Sequence, residues 1–193
     1  MSTATKIEPR ITADAFFEMD SIGHPGKVEL VGGQLRMQHF ASGGHATIQA
    51  NLTGLIRNHL VAKRPGCRVA TEGGVQTTFD AQHNVRRPDV TVTCAPHTKG
   101  ERALPDPVLI VQVMSPNNMA DQWECIRALA SVGTIVEMVV VESESVGVQV
   151  FRRGDDGIWP TAPGRPGAGG TIRLASLDLD LAMADIYWGT NLE

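Results

Sequence analysis

Apolar residues recur at helical spacing in three parts of the chain. The segment from Thr12 to Asp20 predicts a first helix, with Thr12 as its N-cap and its aromatic residues on one side. A longer helix is predicted over His45 to Arg64, because aliphatic residues recur there every three or four positions. A third helix is predicted over Met119 to Val132, and Gly133 stands where a C-cap glycine belongs.

Shorter apolar segments predict β-strands. Two of them flank Gly32-Gly33, and a glycine pair tolerates the positive φ of a tight turn, so residues 28–37 are expected to form a hairpin. The segment 107–114 is apolar almost without interruption, which is typical of a central strand buried on both faces. Further strands are expected in 67–79, 89–93, 135–142 and 146–153, then a loop over 160–171, and finally a short strand and a helical turn.

The order of these elements predicts a mixed α/β (α+β) fold in which helices flank a central sheet. No internal repeat is apparent and no linker divides two cores, so residues 1–193 are expected to form a single domain. The first residues, 1–10, are expected to be flexible.

The composition narrows the class of protein. A chain of 193 residues with 42% hydrophobic and 20% charged residues is typical of a globular protein with its own core. No apolar run approaches the roughly 20 residues of a membrane-spanning helix, and the N-terminus lacks the apolar stretch of a secretory signal. We therefore expect a cytoplasmic protein without a membrane span. The net charge of -4 argues against bulk electrostatic binding of nucleic acid.

Neither the cysteines nor the histidines form a recognisable pattern. Cys67, Cys94 and Cys125 are odd in number and widely spaced, so they are expected to be reduced thiols. The GxGxxG, GxxxxGK[ST], HExxH and GxSxG signatures are absent. The histidines lack compact ligand spacing and are expected to be structural or solvated; they are His24, His39, His45, His59, His83 and His97.

An ordered series of polar motifs remains. It consists of Glu29 in VELVGGQL, His45 at the head of the long helix, RRPDV at 86–90, PVLIVQVMSP at 107–116, and Asp121. This series resembles the Uma-type restriction endonucleases of the PD-(D/E)XK nuclease superfamily, and the resemblance extends from about Ile11 to Trp188. Each motif is weak by itself, but their order is fairly specific.

The resemblance implies a restriction-endonuclease-like core and a DNA substrate. In such nucleases an aspartate and an acid on the adjacent strand hold Mg²⁺ or Mn²⁺ through oxygen ligands. The metal polarises the phosphate and activates water, while a lysine stabilises developing charge. On this alignment Asp89 is the first metal ligand, the carbonyl of Val113 is another, and Glu29 is the family's additional acid.

Two positions depart from the family pattern. Gln112 replaces the strand acid that is the second metal ligand, and Cys125 replaces the helix lysine. Glutamine lacks the charge that Mg²⁺ usually requires from one or two carboxylates, and a thiol cannot supply an ammonium group. The exchanges predict that metal binding is weakened or lost. Gln112 as a satisfied core amide and Cys125 as a small buried apolar residue are the alternative interpretations.

The resemblance also suggests partners. Arg86, Arg87 and His45 are candidates for contacts with nucleic acid. A solvated pair is the more frequent case for the two arginines, and a helix-capping role is an equal alternative for His45. Homodimers are frequent in this superfamily, and the valine-rich strands Ile135 to Val141 and Val146 to Phe151 are expected to present an edge for pairing.

Three functions remain open at this point. The first is a weakly active or inactive homologue of a metal-dependent DNA endonuclease. The second is an active endonuclease in which Glu29, Glu72 or Glu124 replaces the lost carboxylate. The third is a non-catalytic module that binds nucleic acid or protein.

Overall fold

The computed structural model describes residues 9–20, 27–38, 41–166 and 170–192. His24, His39 and the predicted flexible segment, apart from its last two residues, lie outside the described residues. The helices are α1 (Ala13–Asp20), α2 (Gly43–Lys63), α3 (Met119–Leu129) and α4 (Met183–Ile186). The strands are β1 (Val28–Val31), β2 (Gln34–Met37), β3 (Arg68–Thr71), β4 (Val75–Gln76), β5 (Val85–Arg86), β6 (Val90–Thr93), β7 (Pro107–Met114), β8 (Glu137–Glu142), β9 (Val148–Arg152), β10 (Thr171–Leu174) and β11 (Leu179–Ala182).

The largest sheet has five strands in the order β3-β6-β7-β8-β9. Strands β7 and β8 run parallel, and the other neighbours are antiparallel. Leu109, Val111 and Val113 of β7 belong to the core on the α2 side, whereas Ile110 and Met114 belong to the core on the α3 side. A mixed sheet lies between helices, and its strand β7 is buried on both faces, as the sequence predicted.

A second sheet, in the order β2-β1-β5-β4, carries the N-terminal part of the chain. The predicted hairpin at Gly32-Gly33 is confirmed, and both glycines adopt positive φ. A Cβ added at Gly33 would lie 2.6 Å from the Cβ of Arg10, so a side chain does not fit there. Phe16 of α1 packs with Val28 and Leu30 on this sheet, which fixes β1 and the residues that flank it.

The C-terminal part of the chain contains more strand than predicted. β10 and β11 form an antiparallel hairpin, where the sequence suggested a single strand. The short helix α4 follows and contacts α2. The Tyr187 hydroxyl, just after α4, lies 2.8 Å from the Gly147 carbonyl and 3.0 Å from the Glu142 carbonyl, which share its single proton, and it joins this end of the chain to the turn after β8.

One predicted detail in the middle of the chain was wrong, and one short strand was missed. α3 ends at Leu129, so Gly133 is too far along the chain to cap it. The short strand β5 was not predicted, because two residues carry no readable periodicity. β5 nevertheless matters for the site, since it places Arg86 in the interior.

The prediction of three reduced cysteines was wrong for two of them. Cys67 and Cys94 form a disulfide with their Cα atoms 3.9 Å apart. The pairing of Arg68 with Thr93 in β3 and β6 brings the two cysteines opposite one another at the end of the sheet. Cys125 is a free, buried thiol.

The strands that were expected to offer an edge for pairing with a second chain, β8 and β9, offer it only in part. β8 lies between β7 and β9, so its edges are already paired. β9 is the outer strand, and Val150 exchanges both of its backbone hydrogen bonds with Gly164 in the following loop. The expectation that both valine-rich strands present an edge was therefore wrong for β8 and is limited for β9.

Candidate functional site

A cleft of about 670 Å³ lies where the N-terminus of α2 meets the ends of β6 and β7. Its wall carries Asp89, which immediately precedes β6, and Ser115, which immediately follows β7. His45 enters it from the first turn of α2, and Lys27 enters it from the residue before β1. The strand register therefore brings the family motifs together, since Val90 pairs with Val111.

The Asp89 carboxylate is at the centre of this site and is almost completely buried. Its Oδ1 lies 2.8 Å from the Nζ of Lys27 and 3.5 Å from the Nε2 of His45. Its Oδ2 accepts from the Gln112 side-chain amide at 2.5 Å and from the backbone N–H of Val113 at 2.8 Å. Both oxygens of the carboxylate are thus already bound to donors of the protein.

These contacts determine the charge state of the pair. Burial favours the neutral acid, but the charge of Lys27 and the contact with His45 outweigh it, so the pKa of Asp89 is lowered. Burial likewise opposes the ammonium, yet the Asp89 charge outweighs this effect, and the pKa of Lys27 is raised. At neutral pH the site contains a buried ion pair.

A second buried cluster lies behind it, around Glu29. Oε1 of Glu29 accepts from the backbone N–H of Arg87 at 2.7 Å and lies 3.6 Å from the Cys125 sulfur. Its Oε2 lies 3.1 Å from an Nη of Arg86, whose side chain is fully buried. Burial and the charge of Glu29 raise the pKa of Cys125, which is therefore a neutral thiol at physiological pH.

The backbone carbonyl of Val113, the predicted additional metal ligand, also accepts a hydrogen bond from the protein. The Val113 carbonyl accepts from the Gln122 side-chain amide at 2.9 Å, and the oxygen of the same amide accepts from the Ser115 N–H at 2.8 Å. Gln122 lies in α3, so this double hydrogen bond joins the end of β7 to that helix.

His45 lies in the cleft and does not cap the helix. The N-cap is Ser42, whose hydroxyl accepts from the His45 N–H at 3.2 Å. The imidazole has its Nδ1 3.0 Å from the Ser115 hydroxyl and its Nε2 on the Asp89 side.

The two arginines of the RRPDV motif are placed differently. The buried side chain of Arg86 faces Glu29, so the interpretation as a solvated pair was wrong for this residue. The guanidinium of Arg87 donates to the Glu72 carbonyl at 2.9 Å. Neither arginine lines the cleft.

The other two acids considered as replacements, Glu124 and Glu72, are placed differently. Glu124 pairs with Arg36 at 2.6 Å, and Asp121 contacts the same guanidinium at 3.3 Å. Glu72 lines the cleft, and its backbone N–H donates to the Asp89 carbonyl at 3.2 Å.

The side chains around Asp89 do not form a suitable ligand set for the divalent cation that the resemblance implies. Among the residues that the structure describes, no group of three or more His, Cys, Asp or Glu side chains is placed to hold a metal ion. Asp89 is bound to Lys27, and Gln112 presents its NH₂ group to Asp89. Because Mg²⁺ needs free oxygen ligands and usually at least one available carboxylate, this arrangement disfavours it.

Lys27 is the main residue of the site that sequence reasoning missed. It lies in the segment 21–27, which contains two glycines and a proline and shows no helix or strand periodicity. Its partner Asp89 is 62 positions further along the chain, and no local pattern links the two. The resemblance could not indicate it, because none of the aligned motifs includes residue 27.

Comparison with known proteins agrees with this architecture. The sequence profile of the family described as "Uma2: Putative restriction endonuclease" matches residues 13–184. The chain belongs to the Uma2 family. The "Uncharacterized protein slr1290" of Synechocystis sp. is 30% identical to this Uma2 chain over 165 residues, which are 84% of each protein.

A solved structure shows the same fold. A crystal structure described as a "putative nuclease belonging to DUF820" from Anabaena variabilis superposes with a TM-score of 0.65 at 17% identity. The match covers 92% of this Uma2 chain and 97% of the other chain. At this identity the comparison concerns the fold alone. None of the described helices of the Uma2 protein is long and apolar enough to cross a bilayer.

Proposed function

We propose that this Uma2 protein is a nuclease-fold protein with weak or no metal-dependent endonuclease activity. The observation that carries the proposal is the buried contact of 2.8 Å between Lys27 and Asp89. The Lys27 ammonium supplies a positive charge to the carboxylate that is the expected first metal ligand.

A divalent cation would have to compete with this ammonium. Two unit positive charges about 4 Å apart repel each other by roughly 4 kcal/mol at the effective dielectric of a protein, and the double charge of the metal ion doubles this repulsion. Gln112 adds no compensating negative charge, and its NH₂ group would have to turn away from Asp89. Metal binding would therefore break existing contacts and gain only one carboxylate ligand.

The protein also lacks the lysine that, in the related nucleases, stabilises the transition state of phosphodiester hydrolysis from the position of Cys125. Cys125 is buried and neutral next to Glu29, so it cannot stabilise a developing negative charge as an ammonium does. The nearby Arg86 is paired with Glu29 in the interior, away from the cleft. Both exchanges, at Gln112 and at Cys125, act against cleavage.

The test is plasmid cleavage by the purified protein in Mg²⁺ or Mn²⁺, together with calorimetric titration of each metal. We expect neither turnover above background nor a binding isotherm at millimolar metal. An Asp89→Ala variant is the control for contaminating nucleases. Robust cleavage that Asp89→Ala abolishes would overturn the proposal in favour of an active endonuclease with migrated acids.

The open cleft supports a second candidate, a non-catalytic module that binds nucleic acid. The walls of the cleft carry Lys27, His45 and Gln49; Lys27 and Gln49 already contact Asp89, so a nucleic acid would have to share these groups with it. The test is a mobility-shift titration with labelled duplex DNA at 20, 100 and 300 mM salt. Binding that weakens with salt would support this role, and no binding at the lowest salt would exclude it.

A homodimer is proposed on the superfamily resemblance. Sedimentation equilibrium measures the mass directly. A mass near 20.7 kDa, that of one chain, would contradict the proposal.

A further inference from the structure

Three side chains that line the cleft form a continuous chain of polar contacts. The Ser115 hydroxyl lies 3.0 Å from Nδ1 of His45, and Nε2 of His45 lies 3.5 Å from Oδ1 of Asp89. A hydroxyl next to an imidazole that is in turn oriented by a carboxylate is the arrangement that activates a serine nucleophile. The second distance is long, as is common for catalytic contacts before substrate binds.

Exposure decreases from the serine to the histidine to the aspartate, which is the order that a nucleophile, its base and a positioning carboxylate require. Ser115 is partly exposed at the cleft, His45 is 6% exposed, and Asp89 is 1% exposed. Ser115 is therefore the most accessible of the three residues from the cleft, while the Asp89 carboxylate is shielded from water. The volume of about 670 Å³ is within the usual range for small-molecule sites.

Neighbouring residues hold the geometry in place. The Ser115 N–H is fixed by Gln122, and the His45 N–H is fixed by the N-cap Ser42. Lys27 shares Oδ1 of Asp89 with His45 and keeps the carboxylate ionised, which is the state that orients an imidazole. The backbones of Ser115 and His45 are thus both held by hydrogen bonds to neighbouring side chains.

We propose that Ser115 is the nucleophile of an acyl-transfer site, with His45 as its general base and Asp89 as a positioning residue. The substrate class is a small polar ester without a negative charge, because the acidic side chains that line the cleft, including Glu72 and Glu144, would repel an anion. The proposal needs no metal, and it rests on the proposed absence of a cation at Asp89, because a metal there would occupy the carboxylate that positions His45.

The step is balanced within these groups. Oγ of Ser115 bonds to the ester carbonyl carbon while its proton passes to Nδ1 of His45. The bond from this carbon to the alkoxy oxygen breaks, and the departing alkoxide takes the proton from His45 as an alcohol. Water then attacks the acyl-serine with His45 again accepting its proton, and the serine hydroxyl and a carboxylic acid are regenerated.

The first experiment treats the purified full-length protein with a fluorophosphonate, which replaces fluoride with the serine oxygen. Intact mass should increase by one adduct, and peptide mapping should place the adduct on Ser115. The mapping uses the wild-type chain and does not depend on the folding of any variant. An unlabelled protein, or an adduct on another residue only, would overturn the proposal.

The second experiment compares variants by labelling rate and by hydrolysis of p-nitrophenyl acetate. Ser115→Ala should abolish labelling, and His45→Gln should slow it by about 10²-fold or more, the usual contribution of a general base. Ser143→Ala is the matched control, since Ser143 also lines the cleft but its hydroxyl has no hydrogen-bond partner among the described residues. Equal rates in wild type and His45→Gln would overturn the assignment of the base.

Discussion

The Nζ of Lys27 lies 2.8 Å from Oδ1 of Asp89, and the two side chains are only 10% and 2% exposed. A buried charge is costly to leave unpaired, so each of these groups depends on the other. The contact joins the residue before β1 to the residue before β6, and thereby ties the two sheets together at the cleft. It therefore affects both the stability of the fold and the chemistry of the site.

Lys27→Met should be strongly destabilising, because it leaves the buried Asp89 carboxylate without its cation. The expected loss is about 3–5 kcal/mol in the free energy of unfolding, the range for removing one partner of a buried pair. Urea denaturation followed by circular dichroism measures it. Lys63→Met, at an exposed position near the end of α2, is the matched control and should change stability by less than about 0.5 kcal/mol.

The same pair predicts a dependence of stability on pH. The pKa of Asp89 is lowered in the folded protein: burial alone would raise it, but Lys27 and His45 outweigh burial. Its contribution is therefore fully present above the unfolded pKa of about 3.9 and is lost as pH falls through the lower folded value.

Asp89→Asn isolates this contribution. The stability difference between wild type and Asp89→Asn should be greatest near neutral pH and should shrink progressively below about pH 4. Urea midpoints at several pH values between 7 and 3 provide the comparison. A difference that is constant over this range would show that the Asp89 charge does not contribute as inferred.

Restoring the acid alone should not restore a metal site. In Gln112→Glu the new carboxylate lies beside Asp89, and Lys27 still neutralises part of the charge. The double variant Gln112→Glu with Lys27→Met removes the competing cation and should bind Mn²⁺, measured by calorimetry, at least tenfold more tightly than Gln112→Glu. Equal affinities would show that Lys27 does not compete with a metal.

Restoring the lysine should be unfavourable. Cys125→Lys would bring an ammonium into a buried cluster in which Arg86 already pairs with Glu29. We expect a lower melting temperature, corresponding to a loss of about 2 kcal/mol or more. Cys125→Ser is the control of similar size, and the lysine variant should be clearly less stable than it.

The disulfide should contribute measurably to stability. Its cysteines are 27 positions apart, and closing a loop of this length is expected to stabilise the fold by about 3–4 kcal/mol. Cys67→Ser with Cys94→Ser should therefore lower the melting temperature, whereas a reductant should have no further effect on this double variant. Titration of free thiols in the denatured, unreduced protein should give one thiol, that of Cys125. Three thiols would contradict the pairing.

Local signals predicted much of the fold. The glycine pair at 32–33 indicated its hairpin, the spacing of aliphatic residues indicated α2, and the unbroken apolar segment indicated β7. The hairpin, α2 and β7 were predictable because each is encoded within one segment. The family resemblance, rather than local signals, implied that Asp89 and Gln112 lie on adjacent strands, and their side chains are in contact.

The remaining features depend on contacts between distant segments. Lys27 lies next to Asp89 because the two sheets meet there, and Cys67 lies opposite Cys94 because of the register of two strands. Arg86 is buried because Glu29 of the neighbouring strand compensates its charge. Composition and periodicity contain no information about such pairs.

The paired hydrogen bonds between Val150 and Gly164 have a consequence for the behaviour of the protein at high concentration. The outer strand of a sheet is a template on which strands of other chains can assemble, and its valine-rich sequence would favour this growth. Because the chain's own loop occupies the middle of this strand, the free edge is interrupted. The hydrogen bonds of Gly164 with Val150 thus reduce the tendency of β9 to pair with strands of other chains.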